Sequence, residues 1–225
     1  MKRQNGFRRG FTLIELLACQ PKPWRRQARA AFTLIELLVV IAIIGLLAAI
    51  IFSSLKGAMN AAKNARTMSQ IQALDGAIKR YYAEYGKMPA PGTGYNGDKT
   101  KENTVFTGAD QAKIIEILVN SSNMDDPNAN PRQIAFVDLD PKSFNVKTLE
   151  EMLSKLDGGK PYPDPWWDGE ETTMDDYAYG ILMDFDFNGI IEGTDVGNIR
   201  APVGVYSLGN PEKGYTMETT PYRTW

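Results

Sequence analysis

The chain has 225 residues, no histidine, one cysteine (Cys19) and a formal net charge of -2. These figures exclude a His-based catalytic triad, a His metal site, a histidine pH switch and an intramolecular disulfide framework. The charge is an average of opposites: residues 1–31 carry +7, which leaves -9 on residues 32–225. An acidic body argues against a general nucleic-acid-binding surface, and no GxxxxGK[ST] loop is present to cradle phosphates.

The basic leader is followed by residues 37–54, eighteen consecutive positions without a charge. From Phe32 to Phe52 the apolar run is interrupted by one charge, Glu36. At a rise of 1.5 Å per residue, about 31 Å of helix matches a hydrocarbon layer roughly 30 Å thick. The excess of basic residues before the run, eight against Lys56, Lys63 and Arg66 just after it, places residues 1–31 in the cytoplasm and the body outside. The other readings of such a run are a core helix, which rarely stays apolar this long, and a cleaved secretory signal. Ser53-Ser54-Leu55-Lys56 is a poor signal-cleavage site.

No proline occurs between Pro23 and Pro89. Met68, Ile71, Leu74, Ile78, Tyr81 or Tyr82, and Tyr85 continue an apolar stripe at helical spacing, with Lys63, Arg66, Gln70, Lys79 and Glu84 assigned to other faces. The spacing predicts one helix from about Phe32 to Tyr85, ended by Gly86 and Pro89. Its apolar part is residues 32–54, and its amphipathic continuation is 55–86. Glu36 costs on the order of 2.5–3.5 kcal/mol inside an apolar span, so a partner is expected. A cut before Phe32 would create an α-amino group four residues away, in the same chain or a neighbour's. The alternative is a hydrated, unpaired carboxyl at the interface.

Residues 87–225 read as a globular α+β domain. Residues 86–107 are rich in Gly, Pro, Asn and Lys and predict an exposed loop. Short helices are expected over 108–120, with Ala112, Ile115, Leu118 and Val119 on one side, and over 145–156, stopped by Gly158-Gly159. Strands are expected over 134–139, 177–187 and 203–208, the last two laid as a small antiparallel sheet on the long helix. Within 184–195, Asp184, Asp186 and Asn188 place oxygens at alternate positions, Gly189 permits a sharp turn, Ile190 offers a carbonyl, and Asp195 stands where a calcium loop's last carboxylate belongs. The competing reading is a plain β-hairpin turned at Asn188-Gly189. Calcium is the only cofactor this pattern suggests. Carboxylates around 164–171 lie in a short Pro- and Trp-containing loop without an evident cleft, so the chain does not read as an enzyme.

The segment Ala31-Phe32-Thr33-Leu34-Ile35-Glu36-Leu37-Leu38, behind a basic leader and ahead of an apolar helix, resembles the N-terminal motif of the type IV pilin and pseudopilin superfamily. The resemblance implies that a prepilin peptidase cuts between Ala31 and Phe32 and that the new Phe32 amine is methylated. It also implies that Glu36 pairs with the amine of an adjacent subunit during filament assembly. The chain departs from the pattern in having Ala31 before the cut, where Gly is usual, and Ser53 where many members have proline. A second copy, Arg8-Arg9-Gly10-Phe11-Thr12-Leu13-Ile14-Glu15, offers an alternative cut between Gly10 and Phe11, but residues 11–18 are too few to span a bilayer. Pro163-Asp164-Pro165-Trp166 and Val205-Tyr206-Ser207-Leu208-Gly209 are similar to C-terminal elements of the major-pseudopilin family of type II secretion, which often carries a calcium site there. Trp166, Tyr177, Tyr179 and Tyr206 need no role beyond closing the sheet onto the helix. The resemblance implies a pilin-like fold and an inner-membrane subunit with a periplasmic body. Its partners would be prepilin peptidase, copies of itself, other pseudopilins and the assembly platform of the secretion system. A surface pilin for adhesion, motility or DNA uptake is the nearest alternative, and a monomeric membrane-anchored calcium-binding module is another.

Overall fold

The computed structural model describes residues 32–92, 104–121, 128–195 and 197–225. The chain divides into two compact units, Met1–Ile51 and Phe52–Trp225. In the first, the described residues are almost wholly helix: α1 (Leu34–Tyr85) is 52 residues long and begins here. Its large side chains face solvent, from Leu34 at 83% exposed to Ile51 at 63%. The helix is long and apolar enough to cross a membrane.

In the second unit the pattern on α1 changes. Leu55 and Met59 are still exposed, whereas Ile71, Leu74, Ala77, Ile78 and Tyr81 are buried at spacings of three and four. Gly86 ends the helix in the left-handed region at φ +65°, its N–H bonded to the Tyr82 carbonyl at 2.8 Å. α2 (Gly108–Val119) buries residues on nearly all sides, including Ala112, Ile114, Ile115 and Leu118. It is therefore a core helix rather than the one-sided helix expected from sequence. α3 (Leu149–Asp157) starts at Thr148, whose hydroxyl accepts the Glu151 N–H, so the predicted helix over 145–156 begins four residues late. Residues Pro141–Phe144 form a separate 3-10 turn before it.

The sheet is antiparallel and small. β1 (Gly180–Met183) pairs with β4 (Val203–Tyr206), with Gly180 opposite Tyr206 and Met183 opposite Val203. β2 (Ile191–Thr194) pairs with β3 (Gly197–Ile199) as a second two-stranded ladder. Alternation along β1 divides the packing: Ile181 and Met183 join Ile71, Leu74 and Ile78 of α1 in the main core, while Leu182 joins Ile191 and Ile199 in a smaller cluster. The architecture is thus α+β, a long helix followed by a small antiparallel sheet, as in pilin-like proteins.

Several expectations are corrected. Residues 134–139 form no strand. The N–H groups of Phe136 and Val137 both turn to the free Leu118 carbonyl at the end of α2 instead of to a neighbouring strand. Tyr177 ends a 3-10 turn (Met174–Tyr177), so β1 is shorter than 177–187. The stretch 86–107 is not uniformly exposed: Met88, Ala90 and Phe106 are buried, and Phe106 bridges Ile181. Residues 93–103 lie outside the described residues. Gln70, assigned to an outer face, instead donates to the Tyr162 hydroxyl at 2.6 Å and accepts from the Tyr179 hydroxyl at 2.6 Å.

Candidate functional site

The start of α1 carries the first site. Thr33 is the N-cap of the helix and Glu36 its third residue. The Glu36 carboxylate accepts the Thr33 backbone N–H at 2.8 Å and the Thr33 hydroxyl at 2.8 Å, while the Glu36 N–H reaches the Thr33 hydroxyl oxygen at 3.3 Å. This is a reciprocal capping box, which satisfies otherwise open N–H groups of the first turn and favours a negative charge there through the helix dipole. The sequence carries the signal as Thr-x-x-Glu; charge pairing alone points to a cation for Glu36 and not to the hydroxyl three residues before it. Phe32 adjoins this cap and is 77% exposed. Ala31, Gly10, Phe11 and Cys19 lie outside the described residues.

The second candidate is the loop between β1 and β2. Asp184 is buried; its two carboxylate oxygens accept the N–H groups of Phe187 (2.7 Å) and Gly189 (2.6 Å). Asp186 accepts the Asn188 N–H at 3.1 Å, and the Asn188 side-chain oxygen accepts the Ile190 N–H at 2.7 Å. Phe187 (φ +61°) and Gly189 (φ +84°) take left-handed conformations that curl the chain around Asp184. The hairpin alternative is not what forms. β1 pairs with β4 rather than β2, so Asn188-Gly189 joins no paired strands. The loop supplies hard oxygen donors of the kind calcium takes, from Asp184, Asp186 and Asn188. Among the described residues, however, no three acidic side chains gather as a metal-binding group, so Asp195 is not brought beside Asp184 and Asp186. Asp195 stands exposed in the β2–β3 turn, near the Tyr206 phenol, whose pKa is raised chiefly by burial and further by the Asp195 charge.

A third cluster joins the two C-terminal segments singled out by resemblance. Asp164 is 3% exposed; its carboxylate accepts the Ser207 hydroxyl and the Trp166 N–H (2.9 Å). The Ser207 oxygen in turn accepts the Gly209 N–H at 2.9 Å, and its carbonyl accepts the Thr220 hydroxyl at 2.6 Å. Gly209 sits at φ +66°, and a Cβ there would lie 2.2 Å from the Tyr222 ring, so both backbone and space demand glycine. Tyr222 then donates to the Asn64 side-chain oxygen of α1 at 2.5 Å. Burial raises the Asp164 pKa to about 6, against the opposing effect of hydrogen bonds from Ser207 and Trp166. Of the aromatics assigned to closing the sheet, Tyr179 reaches Gln70 and Trp166 lies under Lys63, 5.1 Å from its Nζ. Tyr206 packs edge-on against Trp225 instead of the helix.

Comparison with known proteins bears on the first site most directly. Residues 26–52 match a family model described as the prokaryotic N-terminal methylation motif, a stretch that encloses Ala31, Phe32, Thr33 and Glu36. The chain is also similar to the type II secretion system core protein G of Klebsiella michiganensis, with 35% identity over 77 residues, or 34% of this chain and 54% of that protein. No solved structure matches. The chain spans about half the length of this curated relative. With the long apolar helix and the small antiparallel sheet, the two matches support a pseudopilin-like or type IV pilin-like, membrane-anchored protein.

Proposed function

We propose that the chain is a non-enzymatic structural subunit of a type II secretion pseudopilus. The basic leader holds residues 1–31 in the cytoplasm, prepilin peptidase cuts before Phe32, and the body reaches the periplasm. Subunits then polymerise by packing residues 32–54 into a shared core, meeting other pseudopilins and the assembly platform of the inner membrane. The observation that carries this reading is a carboxylate held by a capping box at the very start of an exposed apolar helix. A buried helix of a soluble domain has no use for such a surface. Thr33 satisfies Glu36 while the subunit waits in lipid, where a bare carboxylate is costly. In the assembly, the amine of a neighbour's Phe32 replaces that weaker neutral partner with a charge-assisted one. The similarity to core protein G supports secretion over a surface pilus, and a filament that survives deletion of the outer-membrane secretion channel would reverse that choice.

Packing of the helices is tested by paired cysteines scanned through residues 37–52 of the Cys19→Ser chain. Oxidation in membranes is expected to give a ladder of oligomers. Monomers alone at every position would favour a membrane-anchored module that never polymerises.

The Asp184 loop supports a second element of the proposal, a structural calcium held by Asp184, Asp186, Asn188 and the Ile190 carbonyl, without Asp195. Asp184 is buried and no Lys or Arg pairs with it among the described residues, so its charge rests on backbone N–H groups alone. Calcium at 100 times its dissociation constant would add about 2.7 kcal/mol of stability. Chelation of the purified chain is therefore expected to lower its melting temperature, and Asp184→Asn to abolish that shift. An unchanged melting temperature on chelation would count against the ion.

A further inference from the structure

Residues 32–225 carry a net charge of -9, yet one cleft on the second unit is positive. It has a volume of about 360 Å³ and is lined by Lys63, Arg66, Lys142, Ser143, Asn145 and Trp167, with Asp164 at its wall. Arg66 is shared with Asp140 at 2.9 Å. Lys63 lies over the Trp166 ring, and among the described residues neither Lys63 nor Lys142 has an acidic partner. Asp164 at the wall and Asp140 beside Arg66 offset two of the three cations, which leaves the cleft with one positive charge in excess. Beside the cleft, the Trp166 indole N–H is buried without an acceptor. Donors and cations are in surplus there, which is the chemistry of a carboxylate or phosphate site.

Position distinguishes between those sources. Lys63 lies nine residues of helix beyond Ser54. That is about 13 Å, farther than a headgroup layer of roughly 5–8 Å reaches. A carboxylate of another protein chain is the better fit, and this chain carries a suitable one. Residues 168–176 contain Asp168, Glu170, Glu171, Asp175 and Asp176. Asp168 caps the turn at Glu170 and Thr173, and Glu171 pairs with Lys155. Asp175 and Asp176 are exposed and take part in no ion pair among the described residues. Asp175 stands beside Gly108, and Asp176 on the rim of a different groove with Tyr177, Leu208 and Asn210. Cation and anion patches are therefore separate surfaces, and a contact between unlike surfaces propagates along a polymer instead of closing a dimer.

We infer that the cleft at Lys63, Arg66 and Lys142 of one copy receives Asp175 and Asp176 of the next copy along the filament. The inference rests on the filament reading above and adds a register between bodies to the packing of helices. It is tested in the full chain by charge reversal and exchange. Lys142→Glu, at an exposed position on the cleft, and Asp175→Lys with Asp176→Lys are each expected to reduce filament recovered from cells by about tenfold, since like charges oppose at the contact. Combined, they should restore it to within about twofold of wild type. Lys63→Gln provides a second variant that removes charge without reversing it, and a smaller loss is expected. Full assembly of Lys142→Glu, or a loss that the combination does not restore, would overturn the inference while the helix ladder remained intact. Absence of that ladder in the wild-type chain would instead take down the filament reading, and this contact with it.

Discussion

Glu36→Ala is expected to leave the chain inserted in the membrane and to abolish the oligomer ladder formed through residues 37–52. Removal of the carboxylate lowers the cost of insertion by on the order of 2.5–3.5 kcal/mol, so insertion cannot be what fails. In the proposed assembly, what is lost is the anion that would meet a neighbour's Phe32 amine, and with it the register of one helix against the next. Thr33→Val separates the two roles of the site. It keeps the size and β-branch of the side chain but removes the hydroxyl that both donates to and accepts from Glu36. Loss of such a cap costs about 0.5–2 kcal/mol, a change in helix-end stability that assembly can absorb. A partial loss of ladder in Thr33→Val beside a complete loss in Glu36→Ala is the expected pair of results. Wild-type ladders from Glu36→Ala would remove Glu36 from the assembly mechanism.

The second large effect is expected at Asp164. Replacement by Ala leaves the Ser207 hydroxyl and the Trp166 N–H buried without their acceptor. At about 1–3 kcal/mol for each of the two abandoned donors, the body should lose roughly 2–6 kcal/mol. Asp164→Asn keeps the shape and an acceptor oxygen, and should cost much less. The two substitutions also part company in their pH dependence. Burial holds the Asp164 pKa at about 6 in the folded chain, above the ordinary aspartate value near 3.9 in the unfolded chain. Between those values the native state binds the proton more tightly than the unfolded state. The contribution of this group is therefore fully present below about pH 4, declines as pH rises through 6, and is level above that. A shift of about two units corresponds to an order of 3 kcal/mol. Melting of the full chain in detergent, followed by tryptophan fluorescence from pH 4 to 8, should show this decline in the wild type and a flatter profile in Asp164→Asn. Identical profiles would mean that the buried carboxyl titrates normally.

The features legible in the sequence were those with a local physical signature. An uncharged run as long as a bilayer is thick, a stripe at 71, 74, 78 and 81, and a left-handed Gly86 at its end all report through spacing alone, and α1 follows them closely. Partners distant in sequence left no such mark. Gln70 is polar and looked like a solvated position, but its amide is satisfied by tyrosines 92 and 109 residues away. Residues 134–139 have the composition of a strand, but without a neighbouring strand to pair with their N–H groups closed the end of α2. The β2–β3 hairpin went unread because a three-residue strand and a bulged register give hardly any alternation to detect. At the candidate site, the acid was evident because a charge inside an apolar run is costly. The threonine that stabilises it was hidden, since Thr33 is unremarkable until its hydroxyl is considered together with the residue three positions on.

Under the proposed maturation the duplicated motif offers two places for the cut, and the mass of the N-terminus decides between them. Intact-mass and peptide mass spectrometry of the chain recovered from membranes should find a 194-residue product of residues 32–225 whose first residue is N-methyl-Phe32. A product beginning at Phe11, or an uncut chain beginning at Met1, would place the free amine far from Glu36 in sequence and contradict maturation at the head of the assembly helix.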